Sequence, residues 1–253
     1  MSTLWLYKSV FSWSAEFDSG RRSEVQRVQR PHELLLHSER SLSSAMNEFG
    51  RADAILNLKR AINVRLQHLE ELYAFANAFP KIVGALERLE AVGLARPLLI
   101  KQLFSLRNDI EHNDAAPPDE QRCSELLDAT WYFLKTTDYA CKVVPSGVAL
   151  SSTAPVEERA ESVTVRISAP SKVLEIYGWL RPATLSTSEK PGFISVCEEE
   201  TEVGRLARCV SLAREGVPLG SIPTTDGRRL FFGKASAADD VIQTLWKRVL
   251  ETL

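Results

Sequence analysis

Strong positive charge is absent from this 253-residue chain, which contains 31 Lys and Arg residues and 33 Asp and Glu residues. The formal net charge is −2 at pH 7, so the chain lacks the overall basicity that is typical of nucleic-acid-binding proteins. Any polyanionic partner must therefore bind a local cluster of basic residues. The hydrophobic share of 44% is ordinary for a globular protein and is sufficient for one large core or two smaller ones.

Cysteine is also scarce, with four residues in the whole chain: Cys123, Cys141, Cys197 and Cys209. None of them belongs to a CxxC pair, and no His stands near them at a spacing typical of metal ligands. We therefore predict free thiols in a reducing compartment and no metal site.

Long hydrophobic runs are missing as well. The apolar N-terminal stretch is interrupted at Lys8 and followed by polar residues, so it does not resemble a secretory signal. No later stretch approaches the roughly 18 apolar residues that a membrane-spanning helix requires. These observations predict a cytoplasmic protein with no membrane partner.

The familiar catalytic motifs are absent too. The chain has no GxxxxGK[ST] loop, no GxGxxG, no HExxH, no GxSxG and no EF-hand loop. A nucleotide hydrolase, a zinc hydrolase and a serine hydrolase are thereby disfavoured, and no cofactor is expected.

The spacing of hydrophobic residues changes along the chain between alternation, which is typical of strands, and a helical period. This change predicts an α+β protein. Residues 1–23 alternate from Trp5 to Phe17, which favours a strand or hairpin that could join a C-terminal sheet. Residues 24–144 show a helical period and predict an antiparallel helical bundle. Residues 145–160 contain Pro, Gly and Ser and are interpreted as a linker. Residues 161–253 predict a small antiparallel sheet with a C-terminal helix.

The spacing of apolar residues predicts the helices and strands, and Pro and Gly residues indicate where they begin or end. The helices are predicted at His32–Phe49, Arg51–Phe79, Lys81–Val92, Arg96–His112 and Asp119–Cys141, with a last helix capped by Ser236. The C-terminal strands are expected around Val163–Ile167 and at Val173–Leu180, Phe193–Cys197, Leu206–Leu212 and Arg229–Phe232, with a hairpin turn at Asp226–Gly227.

One segment carries a catalytic pattern, at the end of the fourth predicted helix. Arg107 is followed by the polar Asn108, and His112 stands five positions after the Arg. Arg binds phosphate oxygens in a bidentate fork, and His transfers protons near neutral pH. On a regular helix positions i and i+5 lie about 140° apart, whereas Asn108 and His112 at i,i+4 share a face. We therefore expect the helix to end or kink within the motif.

This segment, with the short loop and long amphipathic helix that follow, resembles the HEPN domains over roughly residues 32–141. Those are helical bundles whose RX4-6H motif marks a metal-independent ribonuclease. The resemblance implies a phosphate-binding role for Arg107, a general acid/base role for His112 and a supporting hydrogen bond from Asn108. It further implies RNA as substrate and a composite site in a homodimer or a pair with another HEPN chain. It also implies a role as toxin or antiviral-defence effector, with an antitoxin or defence-system partner.

A non-catalytic interpretation of Arg107 and His112 also remains open. Arg107 could form an ion pair with Glu111 at i,i+4, and His112 could act only as a cation at the helix C-terminus. In that case the bundle would be a non-catalytic dimerisation or docking module with a sensor-type C-terminal domain.

A weaker expectation concerns the RNA backbone. Basic residues cluster before and within the first predicted helix, and further arginines follow in the C-terminal part. The candidates are Arg21, Arg22, Arg27 and Arg30, together with Arg205, Arg208, Arg214, Arg228 and Arg229.

Overall fold

The computed structural model describes residues 2–44, 47–113, 115–152, 161–168, 173–198 and 228–252. It confirms a protein of mixed helix and sheet, with an antiparallel sheet and a C-terminal helix. The chain forms two compact units: Met1–Gly20 with Pro145–Thr252, and Arg21–Val144. The first unit contains most of the sheet, and the second is helical.

The helical unit has six described helices. They are α1 Val25–Ser44, α2 Glu48–Tyr73, α3 Phe75–Ala78, α4 Ala85–Ala91, α5 Leu98–Asn113 and α6 Glu120–Lys142. The core forms where α2 packs on α1 and α6, because α2 buries apolar side chains at a helical period. Asp119 caps α6 by accepting a hydrogen bond from the Arg122 backbone N–H at 2.8 Å.

Several helix boundaries differ from the sequence-based expectation. The helix predicted to run to Phe49 ends at Ser44, and α2 begins at Glu48, because the Asn47 side chain caps it there. The helix predicted from Lys81 begins at Ala85. The first helix begins at Val25 and contains Pro31, whereas the prediction started it after that proline. The predicted helix to Phe79 breaks earlier, because Ala74 adopts the left-handed conformation with φ 49°. The Ala74 N–H still bonds to the Glu70 carbonyl at 2.8 Å, and the Glu70 carboxylate accepts the Ala76 N–H at 2.7 Å.

Within the described residues the sheet has eight strands, in the order β2-β3-β4-β5-β8-β7-β1-β6. They are β1 Ser2–Tyr7, β2 Ser14–Arg22, β3 Val143–Ser151, β4 Ser162–Ser168, β5 Val173–Leu180, β6 Leu185–Ser186, β7 Phe193–Glu198 and β8 Arg229–Ser236. A final helix, α7 Asp239–Glu251, buries the apolar face that the sequence predicts for it. Its N-cap is Ala238 and not Ser236, because Ser236 still pairs with Val173 as the last residue of β8.

The N-terminal segment departs from the predicted alternation. A 3₁₀ helix at Lys8–Ser12 separates β1 from β2. In β1 the buried side chains are Leu4 and Leu6, whereas Tyr7 on the other face is 43% exposed. The reason is the register with β7, in which Leu4 lies opposite Val196 and Leu6 opposite Ile194.

The predicted linker is partly a strand. Residues 145–151 belong to β3, which pairs with β4 and buries Val148 and Leu150. Pro and Gly suggested a linker, but hydrogen bonding to neighbouring strands overrides that local preference. The expected strand Leu206–Leu212 and the turn at Asp226–Gly227 lie outside the described residues.

Candidate functional site

The HEPN-like motif lies on α5, which continues without a break from Leu98 to Asn113. The expectation that the helix ends or kinks within the motif is therefore wrong. Ile100 and Leu103 are the buried residues of α5 and hold it against the bundle. Because the helix is regular, Arg107 and His112 project about 140° apart. One chain does not direct both side chains at the same phosphate.

Arg107 is held by neighbours on its own helix. Its guanidinium forms an ion pair with the Glu111 carboxylate one turn later, and its Nη1 donates to the Asn108 Oδ1 at 3.1 Å. The Arg107 side chain is 21% exposed. It also lies near Lys59 of α2, whose pKa is lowered first by burial and then by the Arg107 charge. A phosphate that binds Arg107 must therefore compete with Glu111.

Asn108 and His112 are both exposed and share a face of α5 at i,i+4 spacing. His112 lies in the last turn, where a cation would interact favourably with the helix dipole. The structure therefore presents an amide and an imidazole to solvent on one side of α5, with the paired Arg107 on another.

Two of the four predicted RNA-binding arginines lie at one cavity. Arg27 and Arg30 of α1 line a space of about 330 Å³ together with His68 and Glu71 of α2. The Arg27 guanidinium pairs with Glu71, and the Arg30 Nη1 lies 2.7 Å from the Glu33 Oε2. The local charges therefore cancel, and this cavity is not a strongly positive patch.

The other two predicted arginines add little to that cavity. Arg22 is exposed at the end of β2, and nothing is described of the Arg21 side chain. Of the C-terminal arginines, Arg205, Arg208 and Arg214 lie outside the described residues.

His68 at this cavity is buried, with 4% exposure. Its Nε2 lies 3.0 Å from the Ser23 Oγ, and its Nδ1 has no hydrogen-bond partner among the described residues. Burial lowers the pKa of His68, and the charges of Arg27 and Arg65 lower it further. This imidazole is therefore neutral at pH 7.

A buried polar cluster that the sequence did not predict joins α1, α2 and α6. The Arg65 Nη2 donates to the Asp138 Oδ1 at 2.7 Å, and the His32 Nε2 lies 2.8 Å from the same oxygen. Burial alone would raise the Asp138 pKa, but the hydrogen bonds from His32 and Arg65 outweigh it and lower that pKa. The residues are 73 and 106 positions apart from Asp138, so no local pattern could indicate the cluster.

Within the described residues, no group of three or more His, Cys, Asp or Glu side chains is placed to hold a metal ion. Across the same part of the chain, no helix combines the length and apolar character that crossing a membrane requires. Cys123 and Cys141 are free buried thiols, and burial raises the pKa of both.

Comparison with known proteins gave no relatives. No protein-family model, no curated protein and no solved structure matches this chain.

Proposed function

We propose that this protein is a cytoplasmic, metal-independent HEPN-type endoribonuclease whose active site is completed by a second copy of the chain. The observation that supports this proposal most is the exposure of Asn108 and His112 on one face of α5, which also carries Arg107 directly before Asn108. The proposed biological role, borrowed from the resemblance, is that of a toxin or antiviral-defence effector with an antitoxin or defence-system partner.

The chemistry requires two kinds of group. Cleavage of RNA without a metal needs proton transfer at the 2′-hydroxyl or the leaving oxygen, and a fixed cation for the charge that develops on the phosphate. His112 is assigned the proton transfer and Arg107 the phosphate charge, while Asn108 supplies a hydrogen bond. RNA binding must then release Arg107 from Glu111.

A composite site reconciles this assignment with the straight helix. Since Arg107 and His112 diverge within one chain, we assign the Arg of one protomer and the His of its partner to the same phosphate. In a two-fold dimer that arrangement forms two equivalent sites. Leu98 and Leu99 on the first turn of α5 are 69% and 45% exposed, so apolar surface for such a contact is available.

The second candidate function is a non-catalytic dimerisation or docking module. The ion pair between Arg107 and Glu111 favours it, because a paired guanidinium on a helix surface has a purely structural explanation. RNA cleavage distinguishes the two candidates.

The test is cleavage of total RNA in EDTA by the purified wild type and by Arg107→Ala and His112→Ala. We expect cleavage by the wild type and loss of it in both variants. Arg60→Ala and His37→Ala are the matched controls, because they remove the same residue types from exposed positions of α2 and α1. RNA that stays intact with the wild type, or cleavage that survives both motif substitutions, contradicts the proposal.

Mixing the two inactive variants tests the composite site itself. After random exchange, half of the dimers carry one intact Arg–His combination, so about a quarter of the wild-type activity should return. An active wild type without recovery on mixing would place both groups in one chain and contradict the composite arrangement.

A further inference from the structure

A second cavity in the helical unit lies between α1 and α6, and no motif residue of α5 lines it. Its volume is about 350 Å³, at the lower end of the range of about 300–1,000 Å³ for ligand cavities. Leu35 is buried in its wall, whereas the polar and aromatic side chains around it are exposed. The lining residues are Leu35 and Glu39 of α1 and Leu127, Asp128, Trp131 and Tyr132 of α6.

The charge of this cavity is negative, because Glu39 and Asp128 both line it. Neither carboxylate has an ion-pair or hydrogen-bond partner in the part of the chain that the structure describes. Some other carboxylates of the unit, such as Glu33, Glu71 and Glu125, pair with an arginine. Two unpaired carboxylates at one cavity attract a cation.

The aromatic wall fits the same kind of ligand. The Trp131 and Tyr132 rings meet edge to face, with centroids 5.0 Å apart and an interplanar angle of 87°. The Lys135 Nζ lies 5.5 Å from the centroid of the Trp131 ring, so this ring already interacts with a cation. Carboxylates beside an indole suit a guanidinium or ammonium group on an apolar stem.

Exposed apolar surface continues along α6 beyond the cavity. Tyr139 is 52% exposed, and Leu36 of α1 is 48% exposed. Asp128, Trp131, Tyr132, Lys135 and Tyr139 recur at helical spacing, so they share a face of α6 that is about 17 Å long. A small molecule in the cavity would leave most of this aromatic face uncovered. A polypeptide would cover it, and Trp, Tyr and Arg are the residues that contribute most to protein interfaces.

We propose that this face of α1 and α6 binds a partner polypeptide, which inserts an Arg side chain into the cavity between Glu39, Asp128 and Trp131. The guanidinium pairs with the two carboxylates and displaces the Lys135 ammonium from the Trp131 ring, on which it then stacks. The apolar remainder of the partner packs along Tyr132 and Tyr139. This binding is independent of the RNA chemistry proposed for α5, and it is measured without RNA.

The experiment titrates the full-length protein with a labelled peptide of alternating Gly and Arg residues and follows fluorescence anisotropy. The same peptide with Gln in place of Arg, and free arginine amide, serve as comparison ligands. The indole N–H resonance of Trp131, assigned with Trp131→Phe, reports whether each ligand reaches the cavity. Glu39→Gln/Asp128→Asn is the test variant, and Glu90→Gln/Asp109→Asn is a control with the same change of charge at exposed positions.

We expect the Arg peptide to bind, to shift the Trp131 resonance and to lose affinity about 3- to 10-fold in the test variant but not in the control. The Gln peptide should bind more weakly, and salt should weaken the Arg peptide. Equal weakening in both variants would mean non-specific attraction and overturn the proposal. Arginine amide binding as tightly as the peptide would indicate a small-molecule site and also overturn it. Self-association that the test variant abolishes would assign the face to a second copy of this chain and overturn the proposal.

Discussion

Arg65 is the most unusual single residue of the helical unit, because its charged side chain is fully buried. Its Nη2 bonds to Asp138, and its Nε and Nη1 have no hydrogen-bond partner among the described residues. A buried cation of this kind is tolerated only while a carboxylate neutralises it. Asp138 therefore determines whether Arg65 stabilises or destabilises the packing of α1, α2 and α6.

The pair can be tested by removing one partner and then both. Asp138→Leu should lower the free energy of unfolding by about 3–5 kcal/mol, because it leaves Arg65 buried without a counter-charge. Adding Arg65→Met should recover most of that loss, since both partners are then apolar. Urea unfolding followed by circular dichroism measures both values, and the exposed Asp109→Leu should change stability by no more than about 0.5 kcal/mol. A double variant that is no more stable than Asp138→Leu would refute this account.

Among the helices, α5 is the one on which the proposed activity depends. It is long and regular, but only Ile100 and Leu103 are buried along it. Its exposed part therefore has few tertiary constraints, and the i,i+4 pair of Arg107 and Glu111 is a local interaction between partly exposed side chains. Such a pair contributes about 0.2–0.5 kcal/mol to helix stability.

Glu111→Gln should therefore have opposite effects on two properties of α5. Stability should fall by no more than about 0.5 kcal/mol, whereas RNA cleavage should rise about twofold because Arg107 no longer has a competing carboxylate. Asp109→Asn removes the same charge from the same helix without contacting Arg107 and serves as the control. The initial rate of RNA cleavage is the measurement, and a rate that falls in Glu111→Gln would show that Glu111 itself assists the reaction.

A long helical segment separates the first two strands of the sheet from the other strands along the chain. β1 at the N-terminus pairs with β7 at Phe193–Glu198 and with β6 at Leu185–Ser186. Leu6 in β1 is fully buried and lies opposite Ile194. Pairing over such a sequence distance forms slowly, because a long loop must close first.

Leu6→Ala should destabilise the sheet by about 2–5 kcal/mol, because it leaves a cavity in a well-packed position. The effect should appear as faster amide hydrogen exchange in β7, far away in sequence. Hydrogen exchange with mass spectrometry measures it, and Leu36→Ala on the exposed side of α1 provides the control. Unchanged protection of β7 in Leu6→Ala would contradict the assigned pairing.

Local signals in the sequence determined several elements closely. β5 occupies Val173–Leu180 as predicted, because this segment is rich in branched and aromatic residues, which favour strands. It pairs with β4 on one side and with β8 on the other. α6 begins one residue after Asp119, since that side chain and the prolines before it define a helix start. The presence of both helices and a sheet was predicted from the alternating and the helical spacing of hydrophobic residues. The motif on α5 was likewise visible in sequence, although its function there is still a prediction.

The buried face of β1, the strand at residues 145–151, the polar cluster and the cavity depend on contacts between distant parts of the chain. Which face of β1 is buried depends on its register with β7, and the strand character of residues 145–151 depends on hydrogen bonds to neighbouring strands. Side chains from different helices meet in the polar cluster of Arg65, His32 and Asp138. They also meet at the cavity that Glu39 and Asp128 line. A periodic sequence pattern indicates which nearby residues share a face of one helix or strand. It does not indicate which distant segments meet, and these contacts join residues that are distant along the chain.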